Sequence, residues 1–285
     1  MHIILGGTGQ VGSAAARALL DCDESITVVT RDAAHGRELN QLGAKTAEVN
    51  IRDVAALRDV FRTGKRAFLL NPPADPSGDT DHEERTNISA ILEALDGSGL
   101  EKVVAQSTYR AFAGERCGDL TVLYELEQRL KEQPIPAAIN RGAYYMSNWA
   151  GMVGLVRETG TLPSYFPADL VLPMVAPNDL GQEAARRMMS PTSDTGIEHI
   201  EGPARYSALD VAHVLSDLFE RPVLVQETPS EQLEETFAQY GFSESAAASY
   251  ACMTRRLIDG KTDTADDPIR VKTSLEHYLH STFGG

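Results

Sequence analysis

Three glycines at three-residue spacing, Gly6, Gly9 and Gly12, directly follow a short apolar run. The GxGxxG pattern is also met by Gly7, Gly9 and Gly12. A tight turn with positive φ needs a residue without Cβ, a second glycine lets the backbone touch a pyrophosphate, and a third lets a helix pack closely on a strand. The free amides at the start of the following helix would then bind the phosphates. We therefore expect a dinucleotide to be held by Gly6, Thr8, Gly9, Gln10, Val11 and Gly12.

The choice of dinucleotide depends on the end of the second predicted strand, where the chain reads Thr30, Arg31, Asp32. A site for NAD usually places a carboxylate here, bonded to the ribose 2′-hydroxyl. Arg31 can instead form a bidentate pair with a 2′-phosphate, which a carboxylate would repel. We favour NADP(H), but the carboxylate of Asp32, one residue on, leaves NAD(H) as the alternative cofactor. Asn50, at the end of the third predicted strand, can bond the adenine edge.

Two further groups of residues lie at the ends of the fourth and fifth predicted strands. Ligands of open parallel sheets bind at the carboxyl ends of the strands, so we expect these residues beside the cofactor. They are Leu70, Asn71 and Pro72 at the end of the fourth strand, and Gln106 and Ser107 at the end of the fifth. Of these, Asn71, Pro72, Gln106 and Ser107 are expected on the nicotinamide side.

An aromatic segment at residues 144–149 predicts contact with an aromatic substrate. Hydride transfer needs the nicotinamide carbon held against an electron-poor acceptor, and quinones, azo bonds and cationic dyes are such acceptors. Sites for them are largely apolar, and rings stack on them. We expect Tyr145, Trp149 and Phe166 to contact the substrate. The same rings can instead pack the seam between the two halves of the chain, and one surface can do both.

Alternating strand and helix patterns must position these residues. Strands are expected at His2–Leu5, Ile26–Thr30, Thr46–Val49, Ala67–Asn71, Lys102–Gln106 and from Ile135, with helices between them. Such alternation implies parallel strands joined by right-handed crossovers, and hence a Rossmann-type doubly wound α/β sheet. We expect a dinucleotide-binding domain at 1–148 and a smaller, mostly helical substrate region at 149–285, partly interleaved with it. An exposed loop is expected at Asp259–Asp267.

The composition excludes several classes of function. The 285 residues include 26 Lys or Arg and 41 Asp or Glu, for a net charge of −15, which argues against nucleic acid or an anionic membrane as the main partner. No apolar run approaches the roughly 20 residues of a membrane helix, and no basic leader precedes the first strand. Neither the histidines nor Cys22, Cys117 and Cys252 show metal-binding spacing. We expect a cytoplasmic protein with free thiols and no metal, either a monomer or a homodimer.

Several segments resemble the NmrA-like family of the atypical short-chain dehydrogenase/reductase superfamily. In the first half they are GGTGQVG, VVTRD and FLLNPP, and later INRGAYYMSNW, VAPNDLGQEAAR and GPARYSALDVAHVLSDLFERPV. The similarity runs in order through nearly the whole chain, and the later segments are the more specific. The family includes NADPH-dependent quinone and azo-dye reductases, triphenylmethane reductases, aromatic ether reductases and non-catalytic NADP-sensing regulators. The resemblance therefore implies the fold and the cofactor and leaves the reaction open.

The proton donor of short-chain dehydrogenases is missing from this sequence. These enzymes commonly use Tyr-x-x-x-Lys, in which the lysine lowers the pKa of the tyrosine. The corresponding helix holds Tyr124 with Gln128 four residues on. This absence argues against alcohol dehydrogenation and sugar epimerisation. We name Tyr109 and Tyr144 as candidates for proton donation or substrate contact.

Taken together, the residues predict an oxidoreductase that transfers hydride from NADPH to a small aromatic, quinone-like or azo acceptor. The alternative is a non-catalytic NADP(H)-sensing protein that signals redox state to a regulatory protein partner. The missing Tyr/Lys pair favours the sensor, and the aromatic segment favours the enzyme.

Overall fold

The computed structural model describes residues 1–260 and 265–284. Within these residues the strands are β1 (His2–Leu5), β2 (Ile26–Thr30), β3 (Lys45–Glu48), β4 (Arg66–Leu69), β5 (Lys102–Thr108), β6 (Ala137–Gly142), β7 (Tyr144–Tyr145), β8 (Thr161–Ser164), β9 (Leu172–Val175), β10 (Gly196–Glu201), β11 (Arg205–Tyr206), β12 (Leu224–Glu227) and β13 (Ile269–Arg270). The α-helices are α1 (Gln10–Leu20), α2 (Arg37–Gln41), α3 (Val54–Arg62), α4 (Thr80–Leu95), α5 (Asp119–Lys131), α6 (Val153–Thr159), α7 (Pro177–Met189), α8 (Ala208–Phe219), α9 (Leu233–Gln239), α10 (Glu244–Ile258) and α11 (Leu275–Phe283). Short 3-10 helices lie at Ala33–Gly36, Met146–Met152 and Ser230–Gln232.

The central sheet confirms the doubly wound fold. In the described chain its strands run in the order β13-β10-β6-β5-β4-β1-β2-β3, and every pair is parallel. Strands β1 and β2 are buried along their whole length, as parallel strands covered by helices on both faces must be. The strand order reverses between β1 and β4, and the connections there leave to opposite faces. That reversal opens a crevice at the carboxyl ends of these strands.

Helices cover both faces of the sheet. Helices α1 and α7 pack on one apolar cluster, and α3, α4 and α5 pack on the other. Close contact between α1 and α7 depends on Gly181, where an added Cβ would lie 2.4 Å from the Cβ of Ala14 and 2.6 Å from the amide nitrogen of Ala15. Close packing against α7 therefore fixes the position of α1 and of the turn that precedes α1.

The second half of the chain contributes to this sheet and also builds a separate apolar cluster. Strands β10 and β13 extend the sheet beyond β6, so the structure adds two strands to the six expected. The separate cluster gathers residues of α6, α8 and α11 with two small sheets, β11-β9-β7 and β12-β8. The division at residue 148 stays a prediction. Of the loop expected at Asp259–Asp267, residues 261–264 lie outside the described part.

The expectation of free thiols is wrong for two of the three cysteines. Cys117 and Cys252 form a disulfide with the sulfur atoms 2.03 Å apart, and Cys22 is free and exposed. Cys117 lies two residues before α5 and Cys252 lies within α10. The bond therefore links the helix that follows β5 to a helix of the second half. Their separation of 135 residues gives no sign of the pairing in the sequence.

Candidate functional site

A cavity of about 960 Å³ lies at the carboxyl ends of β1 to β4, at the reversal of strand order. We call it the switch-point cavity. A volume of this size is large enough to enclose a cofactor. Six of the residues predicted to bind the cofactor line it: Gly6, Thr8, Arg31, Asn50, Leu70 and Pro72. The sequence prediction and the observed cavity thus coincide on the turn after β1 and on the ends of β2, β3 and β4.

The glycine turn after β1 has the geometry of a phosphate-binding loop. Gly6 has a φ of 63°, and its carbonyl accepts a hydrogen bond from Gly9 N–H at 2.9 Å. Gly9 is exposed at the N-cap of α1, and neither a capping side chain nor an acidic residue occupies the first turn. The first amides of α1 are therefore available to an anion. Gln10 is exposed beside Gly9, while Val11 and Gly12 are buried and support the turn from behind.

The end of β2 places a cation, Arg31, and a neighbouring carboxylate, Asp32, on the cavity wall. The Asp32 carboxylate accepts a hydrogen bond from the backbone N–H of Ala34 at 2.8 Å and caps the short 3-10 helix there. Arg31 is exposed on the cavity wall, and no hydrogen bond or ion pair to its guanidinium occurs within 1–260 and 265–284. This arrangement fits a 2′-phosphate next to Arg31, because the guanidinium has donors available while a backbone hydrogen bond fixes the Asp32 carboxylate at the start of the 3-10 helix.

A second cation of the cavity was not predicted from the sequence. Arg52, just after β3, donates from Nε to Asn87 Oδ1 at 2.7 Å and pairs with the Glu83 carboxylate. Asn50 accepts a hydrogen bond from the Arg52 backbone N–H at 3.0 Å, which leaves its amide nitrogen free to face a ligand. The sequence feature that could have identified Arg52 is its position shortly after a strand, because ligands of parallel sheets bind at the carboxyl ends of the strands.

The end of β4 borders the glycine turn. A Cβ at Gly6 would lie 2.9 Å from Leu70 Cδ2, so Leu70 packs directly over the turn. Pro72 lines the switch-point cavity, and the preceding residue, Asn71, has a buried Oδ1 with no hydrogen-bond partner in the described structure. An unsatisfied buried amide oxygen next to a cavity is consistent with a role in binding a ligand.

Gln106 and Ser107, near the carboxyl end of β5, do not line the switch-point cavity. Gln106 is buried and donates to the carbonyl oxygens of Ser107 at 2.8 Å and Asn140 at 3.2 Å. Ser107 is also buried, and its Oγ donates to Glu127 at 2.5 Å. Glu127 in turn pairs with Arg141, whose Nη2 lies 2.7 Å from Glu127 Oε2. These contacts hold α5 against β5 and β6, and the nicotinamide contact predicted for Gln106 and Ser107 stays a prediction.

Tyr109 lies in the core rather than on the cavity wall. Its hydroxyl donates to Glu201 Oε2 at 3.2 Å, and its ring makes an edge contact with His199. Burial, reinforced by the Glu201 carboxylate, raises the pKa of Tyr109. The hydroxyl proton is therefore held more tightly than in water, and the catalytic role predicted for Tyr109 stays a prediction.

The aromatic segment divides into a buried part and a half-buried part. Trp149 and Phe166 are buried, and both make edge contacts with Tyr144, with ring centroids 6.1 and 5.4 Å from it. They belong to the apolar cluster of the second half, so their predicted contact with substrate stays a prediction. Tyr144 and Tyr145 are half-buried, and burial raises the pKa of each phenol. These two tyrosines are the rings of this segment that keep accessible surface for a ligand.

Two absences concern only the described chain. No helix within it is long and apolar enough to cross a membrane. Among the same residues, no group of three or more His, Cys, Asp and Glu side chains is arranged to hold a metal ion.

Comparisons with known proteins place this geometry in context. A model of the NmrA-like family matches residues 2–265. The NAD(P)H azoreductase of Xenophilus azovorans is 24% identical over 269 residues, which are 93% of this chain and 91% of that protein. The triphenylmethane reductase of Citrobacter sp., solved in complex with NADP(H), has a TM-score of 0.82 at 18% identity, covering 99% of this chain and 100% of that one. The NADPH-dependent quinone oxidoreductase of Escherichia coli, solved with NADPH, has a TM-score of 0.77 at 17% identity, with 99% and 100% covered. At such identities the solved structures show that the fold is shared.

Proposed function

The chain belongs to the NmrA-like family, and from this we propose that it is an NADP(H)-dependent oxidoreductase that reduces small aromatic, quinone-like or azo acceptors. The observation that carries the proposal is the switch-point cavity, which is lined by the glycine turn before the uncapped start of α1 and by Arg31, an arginine with no partner among the described residues. Every one of these groups lies on one chain, so the proposed site needs no partner subunit and suits either a monomer or a homodimer.

The described residues fit a 2′-phosphorylated dinucleotide. The amides at the start of α1 and the backbone of Gly6 and Gly9 would hold the pyrophosphate. Arg31 would take the 2′-phosphate, and Asn50 would bond the adenine. The end of β4, with Asn71, would contact the nicotinamide side. When bound, the reduced nicotinamide supplies a hydride.

The named relatives support the choice of acceptor. They are described as an azoreductase, a triphenylmethane reductase and a quinone oxidoreductase. Each of these names denotes reduction of an electron-poor conjugated compound. Acceptance of such a compound by this chain requires an accessible surface with aromatic character, which Tyr144 and Tyr145 provide.

The protein's own part in the reaction is binding, orientation and control of protons. The glycine turn and Arg31 fix both ends of the adenosine half, which leaves the reactive end near the carboxyl ends of β4 and β5. The half-buried tyrosines restrict water around the acceptor. The missing Tyr/Lys pair means that any proton delivered by the protein comes from another group.

Steady-state oxidation of NADPH with a panel of acceptors tests the proposal. We expect turnover with at least one quinone, azo dye or triphenylmethane dye, and lower efficiency with NADH. Stoichiometric binding of NADPH without turnover on any member of the panel would contradict the enzymatic proposal and favour the sensor.

A further inference from the structure

The disulfide between Cys117 and Cys252 lies where helix α10 packs on the start of helix α5. Gly118, the N-cap of α5, has a φ of 52°, and a Cβ at Gly118 would lie 2.6 Å from the Sδ atom of Met253. The two residues that directly follow the cysteines are therefore in close contact. Cys117 is buried and Cys252 is half-buried, so Cys252 is the cysteine of the pair that keeps accessible surface.

Helix α10 also holds one wall of the switch-point cavity. We call residues 72–79, which lie between β4 and α4, the wall loop, and all of them except Pro76 line the cavity. Ser243, the N-cap of α10, donates from its backbone N–H to the carbonyl oxygen of Pro76 at 2.9 Å. Its hydroxyl donates to the carbonyl oxygen of Gly78 at 2.6 Å. The start of α10 therefore fixes the backbone of the wall loop at two places.

The segment that leads into Cys117 contacts the same wall loop. Arg116 pairs with Asp79, with Nη2 of the guanidinium 2.5 Å from Oδ1 of the carboxylate, and Asp79 caps the start of α4. A further contact joins α10 to α4, because the hydroxyl of Ser249 donates to Asp81 Oδ2 at 2.5 Å. Both ends of the disulfide are therefore joined to the wall loop, one through Arg116 and the other through α10.

The disulfide limits how far α10 can move away from α5. When the bond is reduced, noncovalent contacts alone hold the two helices together, and local opening of such a region requires less free energy. The wall loop then spends less time in the conformation that closes the cavity. The apparent affinity for a ligand falls in proportion to the population of the binding-competent conformation. The disulfide form is therefore expected to bind a cofactor more tightly than the dithiol form.

We propose that the Cys117–Cys252 disulfide is a redox switch that sets the affinity of the switch-point cavity for NADP(H). The disulfide form keeps the wall loop in place for tight binding, and the dithiol form binds the cofactor more weakly. The proposal rests on the proposed function for the identity of the ligand, and it adds the regulation of that same site. The reductant is a dithiol.

The switching step is thiol–disulfide exchange. A thiolate of the dithiol attacks the Cys252 sulfur, because Cys252 is the accessible partner. The bond to Cys117 breaks, and the Cys117 thiolate takes up a proton. The second thiol of the dithiol then attacks its own first sulfur and releases Cys252 as a thiol. Two electrons and two protons have passed from the dithiol to the two cysteines, and the dithiol has become a disulfide.

Thermodynamic linkage makes the effect reciprocal. If reduction weakens cofactor binding by a given factor, bound cofactor must disfavour reduction of the disulfide by the same factor. We expect a factor of about 10, which lies within the usual range for coupling between two sites.

Two measurements on Cys22→Ser test this reciprocity, since only the Cys117–Cys252 pair remains to be oxidised or reduced in that variant. Calorimetric titration with NADPH compares the oxidised protein with protein reduced by dithiothreitol, and we expect about 10-fold weaker binding after reduction. The second measurement is the ratio of reduced to oxidised dithiothreitol at which half of the protein is reduced. Saturating NADPH should raise that ratio about 10-fold.

Ser243→Ala tests the route between the disulfide and the cavity. In a Cys22→Ser background it removes the hydroxyl contact of α10 with the wall loop and leaves the disulfide intact, so the 10-fold difference between the redox forms should shrink. Ser274→Ala is the matched control. Ser274 caps α11 by accepting from the backbone N–H of His277 at 3.1 Å, as Ser243 caps α10 by accepting from that of Ala246 at 3.1 Å. Among the described residues Ser274 has no hydrogen bond to the wall loop, so its variant should keep the full difference.

Equal NADPH affinity of the oxidised and reduced proteins would overturn the proposal, and so would a Ser243→Ala variant that keeps the full difference. Urea unfolding shows whether the reduced protein is still folded. A reduced protein without a cooperative transition would also overturn the proposal, because the bond would then maintain the whole fold rather than the wall loop. If neither redox form binds NADPH although both are folded, the proposed function fails and the switch has no ligand to control.

Discussion

The backbone oxygen of Gly6 lies where a side chain at Gly12 would have to begin. A Cβ built on Gly12 would be 2.2 Å from that oxygen, far inside van der Waals contact. The start of α1 can therefore approach the turn after β1 only because residue 12 has no side chain. This contact sets where the first amides of α1 point, and so links one glycine to the proposed phosphate site.

We expect Gly12→Ala to lower the free energy of unfolding by about 1–3 kcal/mol, the usual effect of overpacking. It should also weaken NADPH binding, because the helix start is pushed away from the turn. Urea unfolding and calorimetry measure the two effects. Gly154→Ala is the control, since nothing lies within 4 Å of its added Cβ in α6, and it should be neutral or slightly stabilising. If the two variants have the same free energy of unfolding and the same NADPH affinity, close packing at Gly12 does not position the start of α1.

Removal of Arg31 should change cofactor preference rather than stability. We expect Arg31→Ala to weaken NADPH binding about 10–100-fold, which is the range for loss of a charge-assisted hydrogen bond, and to leave NADH binding unchanged. Arg37→Ala, an exposed arginine that does not line the cavity, should leave both affinities unchanged. If Arg31→Ala binds NADPH as tightly as wild type does, Arg31 does not bind the 2′-phosphate.

The disulfide should contribute strongly to stability. It joins residues 135 positions apart, and loop-closure entropy for a loop of that length corresponds to roughly 5 kcal/mol. We expect Cys117→Ser/Cys252→Ser to unfold at much lower urea concentration than wild type, and Cys22→Ser to match wild type. Alkylation of the unreduced, denatured wild-type protein should label Cys22 alone. Label on all three cysteines would show that the bond is not formed.

The raised pKa of Glu84 predicts how stability changes with pH. The pKa of Glu84 is raised in the folded state from 4.5 to about 8, so the folded protein binds a proton that the unfolded chain has released. The stability that this proton contributes is therefore fully present below pH 4.5, the pKa of Glu84 in the unfolded chain. It is lost as pH rises through about 8, the pKa of Glu84 in the folded protein.

The difference between wild type and Glu84→Gln isolates this contribution from other titrating groups. We expect the thermal midpoint of wild type to fall relative to that of Glu84→Gln as pH rises from about 5 to about 9. Glu93→Gln, the same change at an exposed position of α4, should run parallel to wild type throughout. Parallel curves for all three proteins would indicate that Glu84 titrates normally.

Local sequence patterns predicted the elements that hold the cofactor cavity. The alternation of apolar strands with helices predicted the parallel sheet, and the strands expected at His2–Leu5 and Ile26–Thr30 have the observed bounds. Such elements are determined by short-range periodicity, which one sequence displays. Strand β10, GIEHIE, was missed because only its last two residues are buried, so it lacks the continuous apolar run of β1 or β2.

The features that the sequence did not reveal depend on contacts between distant segments. Cys117 and Cys252 meet only after α5 and α10 have been placed. In the sequence Glu84 is an ordinary acid of a predicted helix, and its raised pKa arises from burial and from the carboxylates of Asp119 and Asp81. Trp149 and Phe166 suggested a substrate wall, but composition cannot distinguish a ring that faces a ligand from one that packs a core.

Titration of NADPH into the purified protein by calorimetry tests the central claim, that the turn after β1 binds the diphosphate of a 2′-phosphorylated dinucleotide. We expect one binding site per chain with micromolar affinity for NADPH and weaker binding of NADH. No detectable binding of either nucleotide to correctly folded protein would contradict the claim and every functional conclusion built on it.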